Sequence, residues 1–244
     1  MSFWPNGCFD GHHVLISGGT SGIGTAIAQG FLKEGAVVTV TGVSEAEAAK
    51  ARDEIPSVAA TVLDVRDGEA VKTLVGGFAR LDHVVNCAGI IRRGDELDPD
   101  VFADVIDINL NGTMRVCAAA REKLKKTGGT IVNTASMLSF FGGGLVPGYS
   151  SSKGGIAQLT RSLAIAYSED GIRVNAIAPG WIETPLTRAL RENPERKAAI
   201  IGRTPLKRWG KPEDLAGGAL YLSSPIASFV TGTVLVIDGG YMVV

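Results

Sequence analysis

Apolar residues along this chain fall into two kinds of run. Short, nearly unbroken ones, bounded by glycine or acidic residues, occur at 13–17, 36–41, 58–62, 83–86, 130–134, 173–178 and 234–237. They lack the in-and-out alternation of a half-buried strand, so they predict strands covered on both faces, the environment of a parallel sheet. Between them, apolar residues recur at helical spacing over 22–34, 44–54, 68–78, 100–126, 149–168 and 213–222. Strand and helix in alternation require right-handed crossovers, which predicts an α/β fold with a doubly wound parallel sheet flanked by helices. Ligands on such a sheet sit at the carboxyl ends of the strands, near the reversal of strand order. The chemistry is therefore expected just after each strand.

Composition narrows this picture. The 244 residues contain no linker, repeat or low-complexity stretch, so 1–244 reads as one domain. Lys and Arg (24) nearly balance Asp and Glu (25). The chain therefore lacks the basic field that draws nucleic acid to a surface. Cys8, Cys87 and Cys117 have neither ligand spacing nor an even number, and His12, His13 and His83 add no cluster. Reduced thiols and no metal are expected. Met1 to Asp10 lacks the basic start and apolar core of a leader, and no run of eighteen apolar residues occurs. The expectation is a soluble, cytoplasmic protein with no membrane partner.

The first strand runs directly into Ser17-Gly18-Gly19-Thr20-Ser21-Gly22-Ile23-Gly24, ahead of a helix. Glycines at such a place let the backbone turn tightly and approach a pyrophosphate, whose charge the amides and dipole of the helix start stabilise. This entry suits a dinucleotide and gives the sheet its Rossmann-type reading. The end of the second strand, Val40-Thr41-Gly42-Val43-Ser44, offers neither an acid for a ribose 2′-hydroxyl nor an arginine for a 2′-phosphate. With no basic residue at Thr20 or Ser21 either, the choice between NAD and NADP leans to NAD. Val43 is the residue expected against the ribose.

Tyr149 and Lys153 stand at i and i+4, on one face of a predicted helix. A phenol with an ordinary pKa of about 10 is a poor base near neutrality. A cation roughly 4 Å away at an effective dielectric near 20 contributes about 4 kcal/mol, up to about three pKa units before screening. On that reading, Lys153 lowers Tyr149 until it exchanges a proton near pH 7. Ser136 lies thirteen residues upstream, just past a strand, and Asn109 falls between two apolar stretches.

These elements, in this order, resemble the short-chain dehydrogenase/reductase family over the whole chain. Gly18…Gly22-x-Gly24 resembles its T-G-x-x-x-G-x-G loop, with Ser17 in the threonine place, and Asn86-Cys87-Ala88-Gly89 resembles its N-N-A-G turn. Asp64-Val65 resembles the adenine contact, and Pro179-Gly180-Trp181-Ile182-Glu183-Thr184 the P-G-x-x-x-T stretch, where the Ile182 backbone and the Thr184 hydroxyl face carboxamide and phosphates. The resemblance implies catalytic roles for Asn109, Ser136, Tyr149 and Lys153. Ser136 then holds the substrate oxygen, Lys153 also contacts the nicotinamide ribose, and Asn109 keeps a relay water behind it. The stretches at 88–93, 135–140 and 208–212 look narrower, similar to the sugar-acid branch of 2-deoxy-gluconate 3-dehydrogenase and gluconate 5-dehydrogenase.

That branch implies an oxidoreductase acting on a sugar acid or polyol, a small-molecule substrate. Arg92 and Arg93, leaving the fourth strand, are candidates for holding its carboxylate, and Trp181 for a further contact. A 3-oxoacyl-carrier-protein reductase using NADPH is the alternative, and a non-catalytic nucleotide sensor a third reading. Small residues Ala118, Ala119, Ala120, Gly154, Gly155, Ala157, Ala164 and Ala166 permit close helix approach, and the resemblance implies a homotetramer.

Overall fold

The computed structural model describes residues 7–244; the reading of the N-terminus as leaderless lies, for residues 1–6, outside them. The elements run β1 (His13–Ser17), α1 (Gly22–Lys33), β2 (Val37–Gly42), α2 (Glu45–Glu54), β3 (Ala59–Val62), α3 (Gly68–Gly76), β4 (His83–Asn86), α4 (Pro99–Ile106) and α5 (Gly112–Thr127). They continue β5 (Thr130–Thr134), α6 (Pro147–Ala166), β6 (Arg173–Pro179), α7 (Arg188–Glu192), α8 (Pro194–Arg203), α9 (Glu213–Ser223) and β7 (Val234–Ile237). The seven strands form one sheet in the order β3-β2-β1-β4-β5-β6-β7, and every pairing is parallel.

Apolar side chains on both sides of the sheet explain the unbroken strand patterns. On one face Ile27 and Phe31 of α1, Ala51 of α2 and Leu215 of α9 pack against Val14, Ile16 and Val38. On the other, Val71 of α3, Val116 and Leu124 of α5 and Leu163 of α6 cover Leu15, Val84 and Ile131. Through the middle of the sheet runs a chain of buried polar groups. Ser17 Oγ donates to Asn86 Oδ1 at 3.2 Å, Asn86 Nδ2 to Asn133 Oδ1 at 2.9 Å, and Asn133 Nδ2 to Thr160 Oγ1 of α6 at 3.0 Å.

The single helix expected over 100–126 runs without a gap from Pro99 to Thr127, with one irregular turn inside it. A π-turn at Asp107–Asn111 joins α4 to α5, and the backbone at both junctions is right-handed helical. A Cβ on Gly112 would lie 2.5 Å from a Val65 methyl, so the chain comes too close to the third strand's end for a longer side chain. Helical periodicity, averaged over several turns, cannot register one inserted residue. The structure also places α7 and α8 between β6 and α9, where no helix was read. Among the described residues no helix is long and apolar enough to cross a membrane, and no three His, Cys, Asp or Glu gather as metal ligands.

Candidate active site

All strands end on the same rim, and along it lies a cavity of about 370 Å³. Its floor begins at the β1–α1 turn. Gly18 has φ +67°, and a Cβ there would stand 2.5 Å from the Ala88 amide nitrogen. Gly24 is as tight, since its Cβ would meet the Gly18 carbonyl at 2.4 Å. The turn therefore accepts only glycine at both places and opens α1 straight into the cavity. Ser21 makes no side-chain cap there, and the first turn of α1 carries no acid. Its free amides are thus left facing the space where a pyrophosphate would be stabilised. Thr20, Ser21, Gly22 and Ile23, with Asp64 and Val65 after β3 and Ala88 and Gly89 after β4, continue the lining. Pro179, Gly180, Ile182 and Thr184 close it from β6. These surfaces fit an extended dinucleotide.

Ser136, Tyr149 and Lys153 also line the cavity. Ser136 caps a short turn after β5 through Leu138 N–H at 3.1 Å. Tyr149 and Lys153 project from the first two turns of α6. The Lys153 ammonium lies 5.5 Å from the Tyr149 ring centre and donates to the Thr134 carbonyl at 2.6 Å. Burial pulls Lys153 down from its ordinary 10.5 to about 8. Burial also raises Tyr149, the Ser136 hydrogen bond opposes that rise, and the charge of Glu96 adds to it. The direction at Tyr149 is opposite to the lowering expected from Lys153. Removing both groups from water penalises each charged form, and burial is the largest cause of the shift in each.

Several expected residues are not brought to the cavity. Ser17 and Asn86 are each 2% exposed and are committed to the polar chain through the sheet. Trp181 turns the other way, into a smaller cavity beside Arg208, Asp214 and Asp238, and packs against Trp209 and Tyr241. Arg92 and Arg93 are exposed outside the cleft. Asn109, in the π-turn, accepts from Ile90 N–H at 2.8 Å and donates to the Ile90 carbonyl at 3.0 Å and to Ser152 Oγ at 3.1 Å. Its amide thus pins Ile90, which lines the cavity, rather than entering the cavity itself.

Known proteins share this architecture. A family model described as enoyl-(acyl carrier protein) reductase matches residues 18–242. The chain is 39% identical to the 2-dehydro-3-deoxy-D-gluconate 5-dehydrogenase of Pseudoalteromonas atlantica, with 96% of each chain covered. It is 36% identical to the galactitol 2-dehydrogenase (L-tagatose-forming) of Cereibacter sphaeroides, again with 96% of each covered. Among solved structures, a gluconate 5-dehydrogenase from Burkholderia cenocepacia in complex with NADP and tartrate is 31% identical, with 98% of each chain covered and a TM-score of 0.91. The chain belongs to the short-chain dehydrogenase/reductase family.

One lining residue of this short-chain dehydrogenase/reductase escaped the sequence reading. The end of β2 carries no acid of its own, but Glu47, in the first turn of α2, reaches back to it. Its Oε2 accepts from Val43 N–H at 3.0 Å and from Thr20 Oγ1 at 3.4 Å. The cavity therefore does hold a carboxylate beside Val43, correcting the view that this end offers neither charge. Its signal was the capping pattern Ser44-x-x-Glu47, in which Ser44 Oγ accepts from Glu47 N–H. Arg66 also lines the cavity, but Asp64 and Asp104 both engage its guanidinium.

The depressed Lys153 has a thermodynamic consequence for this enzyme. Its folded value lies below the unfolded one, so the unfolded chain binds the proton first. The group costs stability below about pH 8, and that cost fades as pH rises toward 10.5. The stability difference between Lys153→Met and wild type should therefore move by roughly 2–3 kcal/mol in favour of wild type between about pH 7 and pH 10. Urea unfolding of both proteins measures this shift. A difference that stays constant with pH shows the ammonium to be fully charged in the fold.

Proposed function

We propose that the protein is a dehydrogenase of sugar acids or polyols, with Tyr149 as the proton donor and acceptor. The observation that carries this reading is the convergence of Ser136, Tyr149 and Lys153 on a cavity that a glycine-tight helix entry also lines. A nicotinamide dinucleotide, when bound, supplies or accepts the hydride. The chain's own residues handle the proton. Ser136 holds the substrate oxygen by hydrogen bond, and Tyr149 gives its phenolic proton to the alkoxide that forms, or takes it back in the other direction. A phenol held above its ordinary value is protonated at neutral pH and ready to donate. Lys153, tied to Thr134, keeps a positive charge near the phenol in the pH range below about 8. The Asn109 amide acts as a strut for Ile90.

The substrate class is supported by the names borne by the relatives. The position of Arg92 and Arg93 lends nothing to a carboxylate-binding role. A 3-oxoacyl-carrier-protein reductase would want a basic patch at the mouth. The charged groups lining the cavity are instead Glu47, Asp64, Arg66 and Lys153, with Arg66 held by two aspartates. A cytoplasmic location agrees with three free thiols and is checked by cell fractionation.

Tyr149→Phe removes only the proton donor. It should bind nucleotide almost as wild type does while turnover of aldonic acids and polyols falls by several orders of magnitude. Retained turnover in a steady-state assay sinks the assignment.

Preference for NAD over NADP is supported by the Glu47 carboxylate, an acceptor for a ribose hydroxyl and a repellent for a 2′-phosphate. Glu47→Gln should narrow the NAD/NADP ratio of dissociation constants by about tenfold, the scale of one hydrogen bond to a charged group. A wild type that already binds NADP the more tightly removes the preference.

A homotetramer is supported by apolar side chains left in solvent: Ile165 on α6, Phe229, and Val243 and Val244 at the C-terminus. Light scattering at micromolar concentration should give four times the chain mass. A monomer there would assign the small residues of α5 and α6 to packing on the sheet alone.

A further inference from the structure

Glu96 is 1% exposed and stands in a short turn, Asp95–Leu97, that the reaction as described does not use. A carboxylate buried this deeply needs compensation, and two backbone amides supply it. Oε1 accepts from Arg92 N–H at 2.8 Å, and Oε2 accepts from Tyr149 N–H at 2.7 Å. The second contact joins residues 53 positions apart.

Tyr149 is the third residue of α6, after Pro147 and Gly148. The backbone bond that opens the helix runs from Ser150 N–H to the Val146 carbonyl at 2.9 Å, so the Tyr149 amide has no partner within the helix. Val146 at the N-cap position makes no side-chain cap. A reacting group in an uncapped first turn sits where helices fray. Glu96 supplies the missing acceptor from outside the helix, and its negative charge suits the positive end of the dipole. Gly148 eases the approach, because a Cβ there would lie a close 3.3 Å from Glu96 Oε2 and 3.4 Å from Phe102 Cα. A second tie, Gly94 N–H to the Leu145 carbonyl at 2.8 Å, fastens the same segment to the chain leading into α6.

We propose that Glu96 is a positioning residue for Tyr149: capping the first turn of α6 from a separate loop, it holds the phenol in register with Ser136 and Lys153 and couples that register to segment 90–97. The inference rests on reading Tyr149 as the proton donor. The groups facing the phenol are Ser136 from the turn after β5, Lys153 one turn along α6 and Glu96 from its own turn. Segment 90–97 begins at Ile90 in the cavity wall and ends at the acid. Displacement of that segment by a bound substrate thereby reaches the Tyr149 backbone through one carboxylate.

Glu96→Gln keeps the shape, removes the charge and leaves one carbonyl oxygen to serve two amides. Its nucleotide dissociation constant should stay within about twofold of wild type while kcat falls about ten- to hundredfold, the scale of a reacting group displaced by about 1 Å. The acidic limb of the kcat profile for alcohol oxidation should also move, by about half a pH unit, to lower pH. The sign follows from the charge, since removing a nearby anion makes the phenolate easier to form. A structural cap alone would lower the melting temperature and leave kcat and the limb where they were, and that result overturns the proposal. If the glutamine variant fails to bind nucleotide, Glu96→Asp decides. It retains the charge but shortens the reach, so kcat should fall with the limb unmoved. Wild-type kcat in that variant, or loss of nucleotide binding by it too, assigns Glu96 to the fold and not to the tyrosine. Tyr149→Phe assayed alongside separates the two questions, because retained turnover in it discards the proton-donor reading whatever Glu96 does.

Discussion

A sheet in which all strands are parallel obliges each connection to travel back across a face before the next strand can begin, so all strands finish on one rim. Everything chemical in this protein follows from that constraint. β1 and β4 become neighbours where the strand order reverses, and the two chains leaving them diverge to opposite faces. The gap they open is the start of the cavity. Gly18 is pressed against Ala88 at this point, with no room for a side chain. The same geometry aims the N-terminus of α1 into the gap and lets Ser136, leaving β5, meet Tyr149 and Lys153 on the helix that follows.

The catalytic end of the cavity works against the stability of the fold. An ammonium and a phenol are both withdrawn from water, and each is pushed toward its neutral form. Their surroundings are held by a strand end and by a π-turn. The Thr134 carbonyl takes the ammonium, and the π-turn carries Asn109 to the Ile90 backbone. The π-turn departs from regular α-helical hydrogen bonding. Functional sites commonly store such departures, and the surrounding packed layers tolerate the cost.

Strands and motifs were legible because their signals are local. Seven apolar runs marked the strands to within one residue at either end, and the glycine loop and the Tyr149–Lys153 pair are each read within eight residues of chain. Helix α8 went unread although its start carries a local signal, since Asn193 caps it and Pro194 opens it. Other features have no local signal. Ser17 and Asn86 end their strands as ligand-binding residues do, and only the lateral pairing of β1, β4 and β5 reveals that their side chains face each other. Trp181 belongs to a cavity-lining stretch, but successive residues in extended chain point to opposite sides, and Ile182 takes the cavity wall. Glu96 touches Tyr149 across 53 residues, a contact that no window of sequence contains.

The asparagines inside the sheet settle a different matter. Strands made of Val, Ile, Leu and Ala on both faces are nearly interchangeable, and hydrophobic burial alone would let one slide past another at little cost. Asn86 and Asn133 occupy matched positions on β4 and β5, and Asn175 on β6 exchanges bonds with Val230 and Thr233. Slippage by one residue would leave these amides stranded in hydrocarbon, each losing on the order of 1–3 kcal/mol. They act as registration marks, fixing which strand lies beside which and at what offset, so that the rim forms at one level and the catalytic groups arrive on it together.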